Sequence, residues 1–94
     1  MILEQQIWKA KRRRRDKVVA LAKAECARMG IPYRIYTPMT HPGEIVIIEF
    51  QFEDLSEHAR FWDTWRAQPE TQEYQKRLSE LVETQHHNEL YRVL

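Results

Sequence analysis

Cysteine is almost missing from this 94-residue chain. Cys26 stands alone, so no intrachain disulfide can form, and a lone thiol fits a reducing compartment. No sign of charge dominates either: 15 Lys and Arg face 14 Asp and Glu. That balance argues against a dedicated binder of nucleic acid or another polyanion. No apolar run approaches the roughly 20 residues a membrane helix needs. Met1, Ile2 and Leu3 give way at once to Glu4, Gln5 and Gln6, a start unlike a secretory leader, so a cytoplasmic location is expected. Two glycines and four prolines leave no low-complexity linker. There is no internal repeat and no catalytic or cofactor motif, so no cofactor is expected. The length suits one domain, residues 1–94, and a domain of this size buries only a modest core.

What is present is a sharp change of period. Val46, Ile48, Phe50 and Phe52 alternate with Ile45, Ile47, Glu49 and Gln51, a period of two that marks a strand over 44–52. Asp54, Leu55, Ser56 and Glu57 then form an acidic variant of the capping box. A helix follows from Leu55, with Ala59, Trp62 and Arg66 on one line and Phe61 and Trp65 beside it. Pro69 interrupts it or restarts a helix at its first turn, and Tyr74, Leu78, Leu81 and Val82 make a further helical stripe.

Upstream, residues 2–10 read as a first strand, its alternation blurred by Glu4, Gln5 and Gln6. Residues 13–29 read as a helix with Val18, Leu21, Ala22, Cys26 and Met29 on one stripe. Gly30 suits a left-handed C′ position, and Ile31-Pro32 bars continuation. Residues 32–39 favour a second strand, 40–43 a turn, and 89–94 a short last strand. The order is therefore β-α-β-β-α-β. Two right-handed crossovers put both helices on one face of a four-stranded antiparallel sheet of order 4-1-3-2.

The other face is then open. With Val46, Ile48, Phe50 and Phe52 toward the helices, Ile45, Ile47, Glu49 and Gln51 point away. Two isoleucines left in water forgo roughly 1.5–3 kcal/mol each. A homodimer that pairs two open faces would recover it.

The run Ile48-Glu49-Phe50-Gln51-Phe52-Glu53-Asp54-Leu55, with Phe61-Trp62, Pro69-Glu70 and Glu89-Leu90-Tyr91-Arg92, resembles the dimeric α/β-barrel superfamily. The NIPSNAP-like proteins and the antibiotic-biosynthesis-monooxygenase-like domains are the similar branches. The resemblance implies an α+β, ferredoxin-like protomer, a homodimer with facing sheets, and a cavity between sheet and helices. Monooxygenase-like members often carry a histidine on the second helix. Here Trp62 and Trp65 take the inward positions and His58 lies a turn earlier.

Several residues carry possible chemistry. Phe61, Trp62 and Trp65, with Gln51, could wall a flat apolar ligand, although a helical aromatic stripe ordinarily serves a core or an interface. Glu49, His58 and Tyr91 are the candidate catalytic groups of a cofactor-independent monooxygenase or isomerase. For Glu49, partial burial beside Tyr91 or Arg34 would raise its pKa, while a rim ion pair is the plainer role. His41, His58, His86 and His87 lack metal-ligand spacing, so no metal is expected. Arg12, Arg13, Arg14 and Arg15 could hold an anion or nucleic acid where helix amides face outward, or simply form a solvated helix start. Cys26, on an apolar stripe, reads as a buried, inert thiol. The functional expectation is a homodimer that binds a small apolar or aromatic ligand or a protein partner. The enzyme and the arginine-run binder are the alternatives.

Overall fold

Seven elements alternate along the chain: β1 (Ile2–Ala10), α1 (Arg15–Met29), β2 (Tyr33–Tyr36), β3 (Ile45–Phe52), α2 (Leu55–Arg66), α3 (Pro69–Leu81) and β4 (Val82–Arg92). The computed structural model describes every residue except His41 and Pro42, and only the backbone at Thr84 and Gln85. The turn expected at 40–43 therefore falls partly outside the described residues. The sheet is antiparallel throughout, in the order β2-β3-β1-β4, which is the order expected from the sequence.

The alternation in β3 sorts as expected. Val46, Ile48, Phe50 and Phe52 are buried under the helices, each at most 3% exposed. Directly opposite residues of antiparallel strands share a face, so the register assigns the rest of the sheet. Ile2, Glu4, Gln6 and Trp8 of β1 pair with Phe52, Phe50, Ile48 and Val46 and face the helices. Leu3, Gln5 and Ile7 pair with Gln51, Glu49 and Ile47 and face away. The polar residues that blur β1 thus serve two environments: Glu4 and Gln6 lie beneath the helices and Gln5 on the open face.

Both expected helix boundaries are built as the local chemistry requires. Asp54 accepts the Glu57 N–H at 2.8 Å, and the Glu57 carboxylate accepts the Glu53 N–H at 2.8 Å, a reciprocal cap. Gly30 closes α1 at φ 71°, its N–H donating to the Cys26 carbonyl at 3.1 Å; an L side chain would be strained there. Pro69 opens α3 at its first turn, where a missing N–H costs nothing.

Three boundaries differ from the sequence reading. The first helix starts at Arg15 rather than 13, because Arg13 takes a left-handed φ of 62°. The second strand is shorter, Tyr33–Tyr36. The last strand begins at Val82 rather than 89. Val82, counted above on a helical stripe, is instead extended and pairs with Ala10 across a bulge. A polar run, Glu83 to Asn88, hides the strand, because β4 is an edge whose described side chains beyond Val82 do not build the core.

Candidate functional site

A cavity of about 830 Å³ lies between the helices and the β1–β4 side of the sheet. Five aromatic residues, Trp8, Phe50, Trp62, Trp65 and Tyr74, line it together with aliphatic and polar side chains. The rings meet edge to face. Trp62 stands at 84° to Trp65 and 89° to Phe50, with centroids 5.2 and 5.3 Å apart, an arrangement aromatic pairs favour. At the rim Trp8 stacks on His86 at 4.0 Å.

Two buried carboxylates are set into this apolar wall. Glu4, on β1, is 5% exposed, and Glu25, on α1, is 8% exposed. Each takes an indole N–H from α2. Trp62 donates to Glu4 at 3.1 Å and Trp65 to Glu25 at 2.8 Å. The remaining partners differ. Arg28 grips Glu25 with two parallel bonds of 2.8 Å. Its guanidinium also reaches Gln68 and Glu70 at 2.7 and 3.3 Å. Burial would push the Glu25 carboxyl up, but the bonds from Arg28 and Trp65 and the Arg28 charge together hold it below the usual carboxylate range. Glu4 has no arginine. His58 Nε2 lies 2.6 Å from one of its oxygens, and the Gln6 amide donates to the other at 3.1 Å.

Cys26 lines the same cavity. Burial, with the neighbouring Glu25 charge, pushes its thiol up to about 12, so the thiolate is scarce at neutral pH and the thiol is a weak nucleophile. Tyr74 is pushed up by burial as well, then by Cys26 and Glu25.

Of the residues singled out from the sequence, the fold gathers His58, Trp62 and Trp65 in the cavity. Phe61 packs behind them against Phe50 and Phe52, at centroid distances of 6.4 and 5.5 Å, in the core. Glu49, Gln51 and Tyr91 belong to the open face. Glu49 accepts from Gln5 at 3.0 Å and from the Tyr36 hydroxyl at 3.1 Å. Tyr91 pairs with Leu3, so β1 stands between it and Glu49. The three candidate acid–base groups therefore do not form one site. His86 and His87 point to opposite faces, His86 onto Trp8 and His87 toward Glu89. Among the described residues no three His, Cys, Asp or Glu side chains could hold a metal ion; His41 lies outside them.

The arginine run is also redefined. The outward amides of Arg13, Arg14 and Arg15 donate to the Glu44 carboxylate at 3.0, 3.2 and 3.1 Å. Those bonds, the Arg13 amide first, hold Glu44 below the usual range. An anion at these amides would have to displace one the chain already supplies, which removes the amides from the anion-binding idea.

Glu4 and Glu25 escaped the sequence reading, yet both left a signal. Glu4 occupies the inward phase of β1, two residues after Ile2. Glu25 falls on the apolar stripe of α1, three residues after Ala22 and four before Met29. A charged residue in a buried phase needs a partner, and these two find theirs on α1 and α2.

Comparison with known proteins gives the fold a context. No protein-family model and no curated protein matches the chain. Solved structures do. A NIPSNAP domain protein from Burkholderia xenovorans superposes with a TM-score of 0.86 at 13% identity, covering 100% of this chain and 95% of that one. A NIPSNAP family protein from Agrobacterium tumefaciens gives 0.80 at 18% identity, covering 97% and 90%. A candidate antibiotic biosynthesis monooxygenase from Deinococcus radiodurans gives 0.74 at 15% identity, covering 99% and 92%. The resemblance read from the sequence is met at the level of fold in both branches.

Proposed function

We propose that the chain binds a small, flat, largely apolar molecule in the cavity between its helices and its sheet. The observation that carries this reading is the roughly 830 Å³ cavity itself, walled by indoles and provided with a few convergent polar groups. Pockets for small organic ligands have this make-up and this size. A solid core would bury the same rings against one another and leave no such space. The working unit in this reading is a homodimer of one-domain protomers joined through the open sheet face. There Ile7 lies opposite Ile47, and Ile45, Ile47 and Leu3 are only half-buried in the single chain. No described helix is long and apolar enough to cross a membrane; a reducing cytoplasm would suit the lone thiol.

Calorimetric titration with small aromatic probes tests the ligand site. Saturable binding is expected, and Ser79→Phe, which adds a ring at the cavity wall, should abolish it. Failure of every probe to saturate would remove the reading. Light scattering tests the dimer: twice the mass of the chain is expected, falling to a single mass in Ile47→Lys. A solitary chain at high concentration would refute it.

One observation favours a second reading, an acid–base or oxidative enzyme. His58 and Glu4 touch within the cavity wall, and general acid–base catalysis uses such pairs. The Deinococcus structure, a candidate monooxygenase of this fold, supports the same direction. Turnover of a bound probe, lost in His58→Ala with binding intact, is the result this reading requires.

A further inference from the structure

We infer that the molecule held in the cavity carries a positive charge, an organic ammonium or a flat cationic aromatic whose charge lies beside Glu4. The inference rests on the reading of the cavity as a ligand site and adds the ligand's charge to it.

Three observations point the same way. The first is the balance of charge in the wall. Glu4, Glu25 and Glu83 line the cavity, and Arg66 is the only described lysine or arginine that does; with Glu25 balanced by Arg28, Glu4 and Glu83 still leave the wall acidic. Arg66 already donates to Asp63 at 3.0 Å, on an exposed face. An anionic ligand would enter against this field, and a cation with it.

The second is the unequal treatment of the two buried carboxylates. Glu25 has a permanent counter-ion in Arg28. Glu4 receives neutral donors from Trp62 and Gln6, and its only cationic partner is a histidine, whose charge depends on pH. A buried carboxylate calls for a positive charge or a proton. Glu4 Oε2 holds a single donor, Gln6, and an ionised carboxylate oxygen can accept two. A ligand cation would complete the set that His58 completes only when protonated.

The third is the character of the remaining wall. Indole and phenol rings attract cations over their faces, tryptophan most strongly. Trp8, Trp62, Trp65 and Tyr74 surround the space into which Glu4 is set. A carboxylate within an aromatic enclosure is the combination that recognises organic ammonium groups.

Besides Glu4 and His58, the charged and titratable groups facing this space are Glu25 from α1, Arg66 from α2, Tyr74 from α3, and Glu83 and His86 from β4.

Three probes of nearly equal shape make the test: phenyltrimethylammonium, its neutral isostere tert-butylbenzene, and benzenesulfonate. Calorimetry on the purified chain should find the cation bound at least about tenfold more tightly than the neutral isostere, and the anion not at all. Glu4→Gln should erase that advantage. If Glu4→Gln does not fold, His58→Lys, which sets a permanent cation beside Glu4, carries the test and should erase the same advantage. Equal binding of cation and neutral isostere overturns the inference while leaving the ligand site intact. So does a cation advantage that survives Glu4→Gln or His58→Lys. Binding of none of the three removes the ligand site itself.

Discussion

The two ends of the cavity solve one physical problem in opposite ways. Each buries a glutamate, and each satisfies it in part with a tryptophan from α2, three residues apart in sequence. At the Glu25 end, Arg28 closes a bidentate ion pair and is itself held by Gln68 and Glu70. Such forked pairs are strong and geometrically specific. They tie α1 to the segment that joins α2 and α3, so this end reads as architecture. At the Glu4 end the partners are a histidine, an amide and an indole. No permanent counter-ion stands beside that carboxylate. The same residue type, about equally buried, is thus a brace in one place and the proposed receptor in the other. The counter-ion makes the difference.

The largest effect should come from the tryptophans that link α2 to the two ends. Trp62 is 8% exposed and touches Phe50 and Phe52, whereas Trp65 is half-buried. Urea unfolding of Trp62→Ala should show a loss of about 3–5 kcal/mol, and Trp65→Ala distinctly less. Equal losses would mean that the two ends share the core evenly.

Removing the carboxylate charges sharpens the contrast. Glu25→Gln removes the bidentate partner of the Arg28 guanidinium, which is 30% exposed and keeps Gln68 and Glu70, and a loss of about 1–3 kcal/mol is expected after allowing for solvent screening. Glu4→Gln keeps an oxygen for Trp62 and His58 and strands no arginine, so its cost should stay below about 1 kcal/mol. The reverse ranking in chemical denaturation would refute the division into brace and receptor.

Acid titration of stability probes the brace alone. The Glu25 carboxyl is depressed in the fold, so its contribution is fully present above the ordinary carboxylate range. It is lost as the pH falls through the depressed value. The native chain should therefore lose stability more steeply than Glu25→Gln on the acid side, as followed by circular dichroism. Parallel slopes would remove Glu25 from the account.

The smallest effect concerns Cys26, beside Glu25. With its thiol pushed up to about 12, alkylation by iodoacetamide at neutral pH should run on the order of a hundredfold slower in the folded chain than in urea. Comparable rates would show that the wall of this end opens readily.

Legibility in the sequence followed burial. In β3 one face is packed and the other is not, so alternation was plain, whereas the register came only with the fold. The Asp54 cap and Gly30 were legible because each answers a local backbone need. In β4, an edge strand, Glu83, His86 and Asn88 line the cavity, where no periodic apolar face is required, and seven residues of strand went unread. Glu4 and Glu25 were passed over for a related reason. Each is a polar residue in a buried phase, and such a residue makes sense only once its partner is known.

The order of the strands, the face of β3 that the helices cover, the Gly30 end of α1 and the Asp54 start of α2 were written in the chain itself, since apolar period and capping act over a few residues. Which polar groups share an enclosed space was decided by the fold alone. Glu4 and His58 stand 54 positions apart, and only the β1–β3 register and the seating of α2 on Phe50 and Phe52 bring them within hydrogen-bond reach.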